Sequence, residues 1–248
     1  MIKICSMLGG SHGYNLNTPT SDIDIRGVYI DDNINSIIGL QKNEFVQTQS
    51  EKEDTVYTEF RHALRLLKQA NTQTIELLFN DNWIECSAEW KLVQAHKLEL
   101  IDSVKLFNCL RGYMQGERRL ANGERTGRLG GKRKESIDKF GFSPKNACQF
   151  LRLAWAGSIF FKKSYFPVGI KSEDPSFCEC LLDIKTNPKN YEKEYLNDLF
   201  QRADNLLVKD FENRIKTFTF NEGLANELCL RIYAPVVYSA YNSINATK

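Results

Sequence analysis

At 248 residues, 42% hydrophobic and 26% charged, the chain has the composition of a folded protein with one large domain or two modest ones. Its net charge of +2 excludes an overall polycation, and no apolar run approaches the ~18 residues that cross a bilayer, so no membrane partner is expected. Seven scattered cysteines, odd in number and without a CxxC pair, read as free thiols of a cytoplasmic protein rather than a disulfide framework or a zinc site.

Ile2 to Leu8 is a short apolar run ending at Gly9-Gly10, which predicts a strand entering a tight turn rather than a leader peptide. Asn15 to Ser21, rich in Asn, Thr, Pro and Ser, predicts a loop. Asp22 to Ile30 predicts a second, β-branched strand and Glu53 to Thr58 a third. Phe60, Leu64 and Leu67 lie at helical spacing over 60–68, and Thr74 to Phe79 begins another apolar turn. His96 to Met114 carries Leu98, Ile101, Val104, Leu106 and Leu110 as an amphipathic helical stripe. Gly116 to Lys134 contains Gly116, Gly123, Gly127, Gly130 and Gly131 and predicts a mobile loop or broken helix. It overlaps the basic segment Arg111 to Lys134, where eight basic residues against two acidic ones give +6 and leave −4 for the rest. Ser143-Pro144 and Asn187-Pro188 each read as a cap followed by a first-turn proline. The first opens a helix to Lys163; the second opens a long helix with Tyr191, Tyr195, Leu199, Leu206 and Phe211 near one face. Asn221 to Tyr241 predicts a closing helix, bent at Pro235. Strands and helices thus alternate early, and the carboxy-terminal half is helical.

Asp22 and Asp24 stand two apart on a predicted strand, so both face one side and their carboxylates can converge on a hard cation. Mg²⁺ takes oxygen ligands, keeps several waters, and is held by a few carboxylates together with substrate phosphates. Ile23 and Ile25, on the opposite face, are expected to anchor the strand in the core. Gly9-Gly10-Ser11 follows a strand directly, where small residues let backbone N–H groups approach a triphosphate and the Ser11 hydroxyl adds a donor. A lone Asp-x-Asp is more often a solvated strand edge. Joined to the glycine loop by ten residues in one strand–turn–strand frame, it is a far more specific signal.

Gly10-Ser11, ten residues, then Asp22-Ile23-Asp24-Ile25 resembles the hallmark of the DNA-polymerase-β nucleotidyltransferase superfamily. Gly10-Ser11-His12-Gly13-Tyr14 with Ser21-Asp22-Ile23-Asp24-Ile25-Arg26-Gly27 looks more narrowly like the bacterial and phage branch of nucleotidyltransferases associated with RNA ligases. Asp54 to Arg61, Gln69 to Leu78, Gly130 to Arg133 and Phe140 to Leu153 are similar to later segments of that branch. Two positions depart from its pattern: Thr72 stands where proline is usual, and Gln149 where histidine is usual. The resemblance implies an α+β fold: a small mixed-sheet nucleotidyltransferase core with flanking helices over 1–92, then a helical domain over 93–248 that carries the basic loop and binds acceptor or nucleotide. It also implies a third carboxylate, Asp54, beside Asp22 and Asp24, with Glu59 as the competing candidate.

On this reading Asp22, Asp24 and Asp54 hold two Mg²⁺ or Mn²⁺ ions, and an NTP gives its NMP to an acceptor hydroxyl with loss of pyrophosphate. The acceptor is an RNA end, a protein or a small molecule. Gly10, Ser11 and His12 are candidates for nucleotide contact, a reading preferred for His12 over a place in the core. Arg26 either touches a phosphate or solvates a strand edge. Lys145 and Arg152, seven apart on one helical face, either hold the triphosphate or form a solvated face. Lys132, with Arg133 and Lys134, either meets a nucleic-acid backbone or belongs to a solvated loop. The competing functional class is a catalytically silent nucleotide- or RNA-binding regulator on the same fold.

Overall fold

The computed structural model describes residues 1–41, 43–50, 52–124 and 131–246, with the side chains of Lys132 and of 243–246 outside the description. The chain divides into two compact units, Met1–Ser103 with Phe218–Lys248, and Val104–Thr217.

The first unit opens with strand β1 (Ile2–Gly9), which ends where the sequence places its glycine turn. A single turn, α1 (Gly10–Gly13), follows, and then strand β2 (Ile23–Ile30). A second short helix, α2 (Ile34–Ile37), leads to β3 (Phe45–Gln49) and β4 (Glu53–Glu59). Helix α3 (Phe60–Lys68) buries Phe60, Ala63, Leu64 and Leu67, the i, i+3, i+4, i+7 stripe that a helix lays against a core. Glu59 caps it, its carboxylate accepting from the His62 N–H. Ala70 turns the chain in the left-handed region (φ 56), and Asn71 caps α4 (Thr72–Phe79), which is buried on nearly every side. The two-residue β5 (Glu85–Cys86) and α5 (Ala88–Ala95), capped by Ser87, complete this part.

The sheet is mixed, ordered β3-β4-β2-β1-β5. Only β2 and β4 run parallel; the remaining pairs are antiparallel. In register, Gly9 lies opposite Asp24 and Asp24 opposite Asp54, so three neighbouring strands bring the glycine turn and two acids into one row. The buried part of β2 begins at Gly27, and Ile23 is 39% exposed. The expectation that Ile23 anchors the core is therefore corrected: the acid-bearing end of β2 is the rim of the sheet, and the same lack of cover keeps the acids accessible.

The second unit is built from α6 (Ser103–Ala121), α7 (Gly131–Phe140), α8 (Pro144–Lys163), α9 (Pro175–Thr186) and α10 (Lys193–Glu212). Pro144 occupies the first turn of α8, as its sequence signal requires, and Ser164 ends the helix at φ 55. The expected Ser143 cap is corrected, since its hydroxyl takes no helix N–H and donates to Asn146 Oδ1 at 2.7 Å; α9 does start with a side-chain cap, Asp174 accepting from the Phe177 N–H before Pro175. The Asn187-Pro188 signal yields only a 3₁₀ turn over Pro188–Asn190, and the long helix starts at Lys193. Of the loop or broken helix expected over Gly116 to Lys134, Gly116–Ala121 ends α6 and Gly131–Lys134 begins α7, as a broken helix would; Arg125 to Gly130 lie outside the described residues. Helix α11 (Glu222–Ala246) contains Pro235 and belongs to the first unit with the sheet. Among the described residues no helix is long and apolar enough to cross a membrane.

Candidate functional site

The rim of β2 and β4 gathers an unusual set of side chains. One guanidinium nitrogen, Nη2 of Arg26, donates to Asp24 Oδ1 and to Asp54 Oδ2, each at 3.4 Å. The two oxygens therefore lie no further apart than twice that distance. Asp24, Arg26 and Asp54 are each about a quarter exposed at the side chain. On the outer flank Gln47 of β3 donates from Nε2 to Asp54 Oδ1 at 3.0 Å. Both oxygens of Asp54 are thus engaged, one by an amide and one by a cation.

The glycine turn packs onto this row. A Cβ at Gly10 would lie 2.0 Å from Asp24 Oδ2, and Gly10 has φ +53, so glycine is required there on both steric and conformational grounds. Ser11 and His12 follow within α1; the His12 Nε2 atom is buried and meets no hydrogen-bond partner among the described residues. Tyr14, next along, donates its hydroxyl to Glu76 Oε2 of α4 at 2.8 Å, which ties the turn to a buried helix. Glu76 and Gln47 were not candidates from sequence. Gln47 lies on a fully exposed strand with no buried face to announce it, and Glu76 reads only as one acid in an apolar helix.

Asp22 precedes β2 and is exposed. Among the described residues no group of three or more His, Cys, Asp or Glu side chains is placed to hold a metal ion. The structure brings Asp24 and Asp54 together. Glu59, the competing third carboxylate, lies five residues along β4 opposite Tyr29 and is 2% exposed. Arg61 Nε at 2.9 Å, the His62 N–H and the Tyr233 hydroxyl all donate to it. Its oxygens cap α3 and anchor α11, and the cation they face is Arg61.

The remaining sequence candidates lie in the second unit. Lys145 is exposed at the start of α8, whereas Arg152 is 1% exposed and donates from Nε to Gln149 Oε1 at 3.1 Å. Lys132 falls within α7, with its side chain outside the described set. Neighbouring Arg133 donates to Asn146 Oδ1 at 3.2 Å, and Asn146 donates to Glu117 Oε2 at 2.7 Å. Burial pushes the Glu117 carboxyl up from its ordinary range; the Asn146 amide and the charges of Arg133, Arg152 and Lys145 offset part of that. Arg133, Arg152 and Lys145 thus act on one buried acid, Glu117, which no local sequence pattern marks.

The model of the RNA repair pathway DNA polymerase beta family matches residues 4–167, taking in the whole rim and the start of the helical unit. The chain belongs to that family. A search of curated proteins gave no match. Membership makes the fold that of a polymerase-β-like nucleotidyltransferase, and the family's own description places its members in an RNA repair pathway. The match includes Gly9-Gly10, Asp22, Asp24, Arg26 and Asp54, and it also spans Glu117, Arg133 and Arg152.

Proposed function

We propose that this protein is a metal-dependent nucleotidyltransferase that transfers NMP from an NTP to a hydroxyl at an RNA end and releases pyrophosphate. The supporting observation is the register of Asp24 with Asp54 on adjacent parallel strands, beside a glycine turn that closes directly onto Asp24. Two oxygen-donor side chains that already share a positive partner are a donor set suited to a hard divalent cation. Asp24 and Asp54 would hold it, with Asp22 supplied from its exposed position just before β2. When bound, such an ion neutralises charge on the attacking and leaving oxygens.

The protein's own residues bind and orient. Backbone N–H groups of Gly10 and Ser11, with the Ser11 hydroxyl, receive the phosphates of the leaving pyrophosphate. The acceptor hydroxyl loses its proton to an Asp54 carboxylate oxygen, its oxygen bonds to the α-phosphorus, and the α–β bridging oxygen departs with pyrophosphate. In-line positioning and charge neutralisation carry most of the acceleration in such transfers. An RNA acceptor accords with the family's description, with Lys134 exposed in the basic segment of the second unit, and with Lys145 exposed at the start of α8.

Incubation with each α-labelled NTP, Mg²⁺ and total cell RNA or total protein tests the reading. Label in RNA supports it. Label in protein alone reassigns the acceptor, and absence of both label and Mg²⁺-dependent pyrophosphate release favours the silent regulator, for which Arg26 seated between the two acids is the one structural argument.

A further inference from the structure

Two arginines contact acids of the same strand pair, and they are built differently. Arg61 is held from several sides: Nε donates to Glu59 at 2.9 Å, Nη1 to the Ile37 carbonyl at 2.8 Å and Nη2 to the Ser36 carbonyl at 3.1 Å. Arg26 has no such anchor. Among the described residues its charged end contacts only Asp24 and Asp54, through one nitrogen and at 3.4 Å to each. At its base lies Gly9, where a Cβ would stand 2.8 Å from Arg26 Cγ, so the missing side chain leaves room for the arm to lie across the turn.

We propose that Arg26 is the resident counter-ion of the Asp24–Asp54 pair and competes with divalent cations for it. This rests on the metal-binding reading above. Two carboxylates in register on neighbouring strands repel one another, and a positive charge between them relieves that repulsion. A divalent ion carries twice the charge and sits at ~2.1 Å from its oxygens, so it displaces a guanidinium held at longer range. The freed guanidinium, with its planar fork of donors, then lies beside the Gly10 turn with the geometry to take a phosphate. The arm holds the acids in place when the cation is absent and reports its arrival by leaving.

Titration of the full-length protein with Mn²⁺ alone, no nucleotide present, with free Mn²⁺ read by electron paramagnetic resonance, tests this. Arg26→Met binds Mn²⁺ about tenfold more tightly than wild type, the scale set by removing two weak, partly exposed ion contacts. Arg26→Lys, which keeps the charge, falls between the two, and Arg26→Gln substitutes for the methionine variant if that fails to fold. Equal or weaker Mn²⁺ binding by the neutral variants, with Asp24→Asn abolishing binding in wild type, overturns the counter-ion role and leaves the metal site standing. Mn²⁺ binding that ignores Asp24→Asn removes the metal site and the inference with it.

Discussion

Strand β4 carries an acid at each end, and the two ends have been built for different purposes. At the inner end Glu59 is buried and takes donors from Arg61, from the α3 backbone and from Tyr233 on a helix 174 residues away. At the rim Asp54 is partly open, with one amide partner and a share of a single guanidinium nitrogen. Glu59 is buried and faces a tightly held cation, Arg61, whereas Asp54 is partly open and its cationic partner is loosely held. The contrast makes the rim, not the buried end, the place to look for function.

Asp24→Asn breaks the comparison most sharply. It should lower nucleotidyl transfer by roughly 10³-fold, because a neutral amide holds Mg²⁺ poorly. The metal-free melting temperature should be unchanged or raised, since a site residue often trades stability for activity. A marked fall in melting temperature with transfer retained would make Asp24 structural. Glu59→Gln should do the opposite. Leaving Arg61 without its buried partner costs about 3 kcal/mol in denaturant unfolding, while transfer per folded molecule stays at the wild-type rate. A normal unfolding midpoint with lost transfer would exchange the roles assigned to the two ends.

Tyr233→Phe removes one donor from Glu59 but keeps the ring, and should cost about 1 kcal/mol in the urea midpoint. The smallest effect belongs to the second unit. The Glu117 carboxyl is raised in the folded protein above its ordinary 4.5. Its contribution to stability is therefore complete below that value and is lost as the pH rises through the folded one. Glu117→Gln keeps an acceptor for Asn146 without the charge, so its melting temperature should match wild type near pH ~4 and exceed it near pH ~8. A gap independent of pH would show that Glu117 is not the titrating group.

What could be read in advance followed local chemistry. The glycine turn, the Asp22-Ile23-Asp24 segment, Asp54 on a β-branched run, the apolar stripe of α3 and the first-turn proline of α8 all announce themselves within a few residues of sequence. Strand β3 does not, because an edge strand exposed along its whole length has no buried alternation to detect, and Gln47 was missed with it. Helix α7 was obscured by the glycines that precede it, although Gly131 stands at its very start and Lys132 to Phe140 contain none. α9 carries an Asp174-Pro175 signal equal to that of α8 and could have been found. The commitment of Glu59 depends on Tyr233, a partner so distant along the chain that no local pattern could show it.

The chain's path through its two units also orders events during synthesis. The Ser103 N–H donates to the Phe218 carbonyl, and the Phe218 N–H to the Ser103 hydroxyl, so the points where the chain leaves and re-enters the first unit are clasped together. The residues between them, 104–217, form an inserted unit with adjacent ends. A ribosome therefore delivers every residue of the helical insert before it delivers α11. Glu59 must wait for Tyr233 until the insert has emerged, and until then the sheet carries a buried acid short of one donor. The unit begun first is the unit finished last.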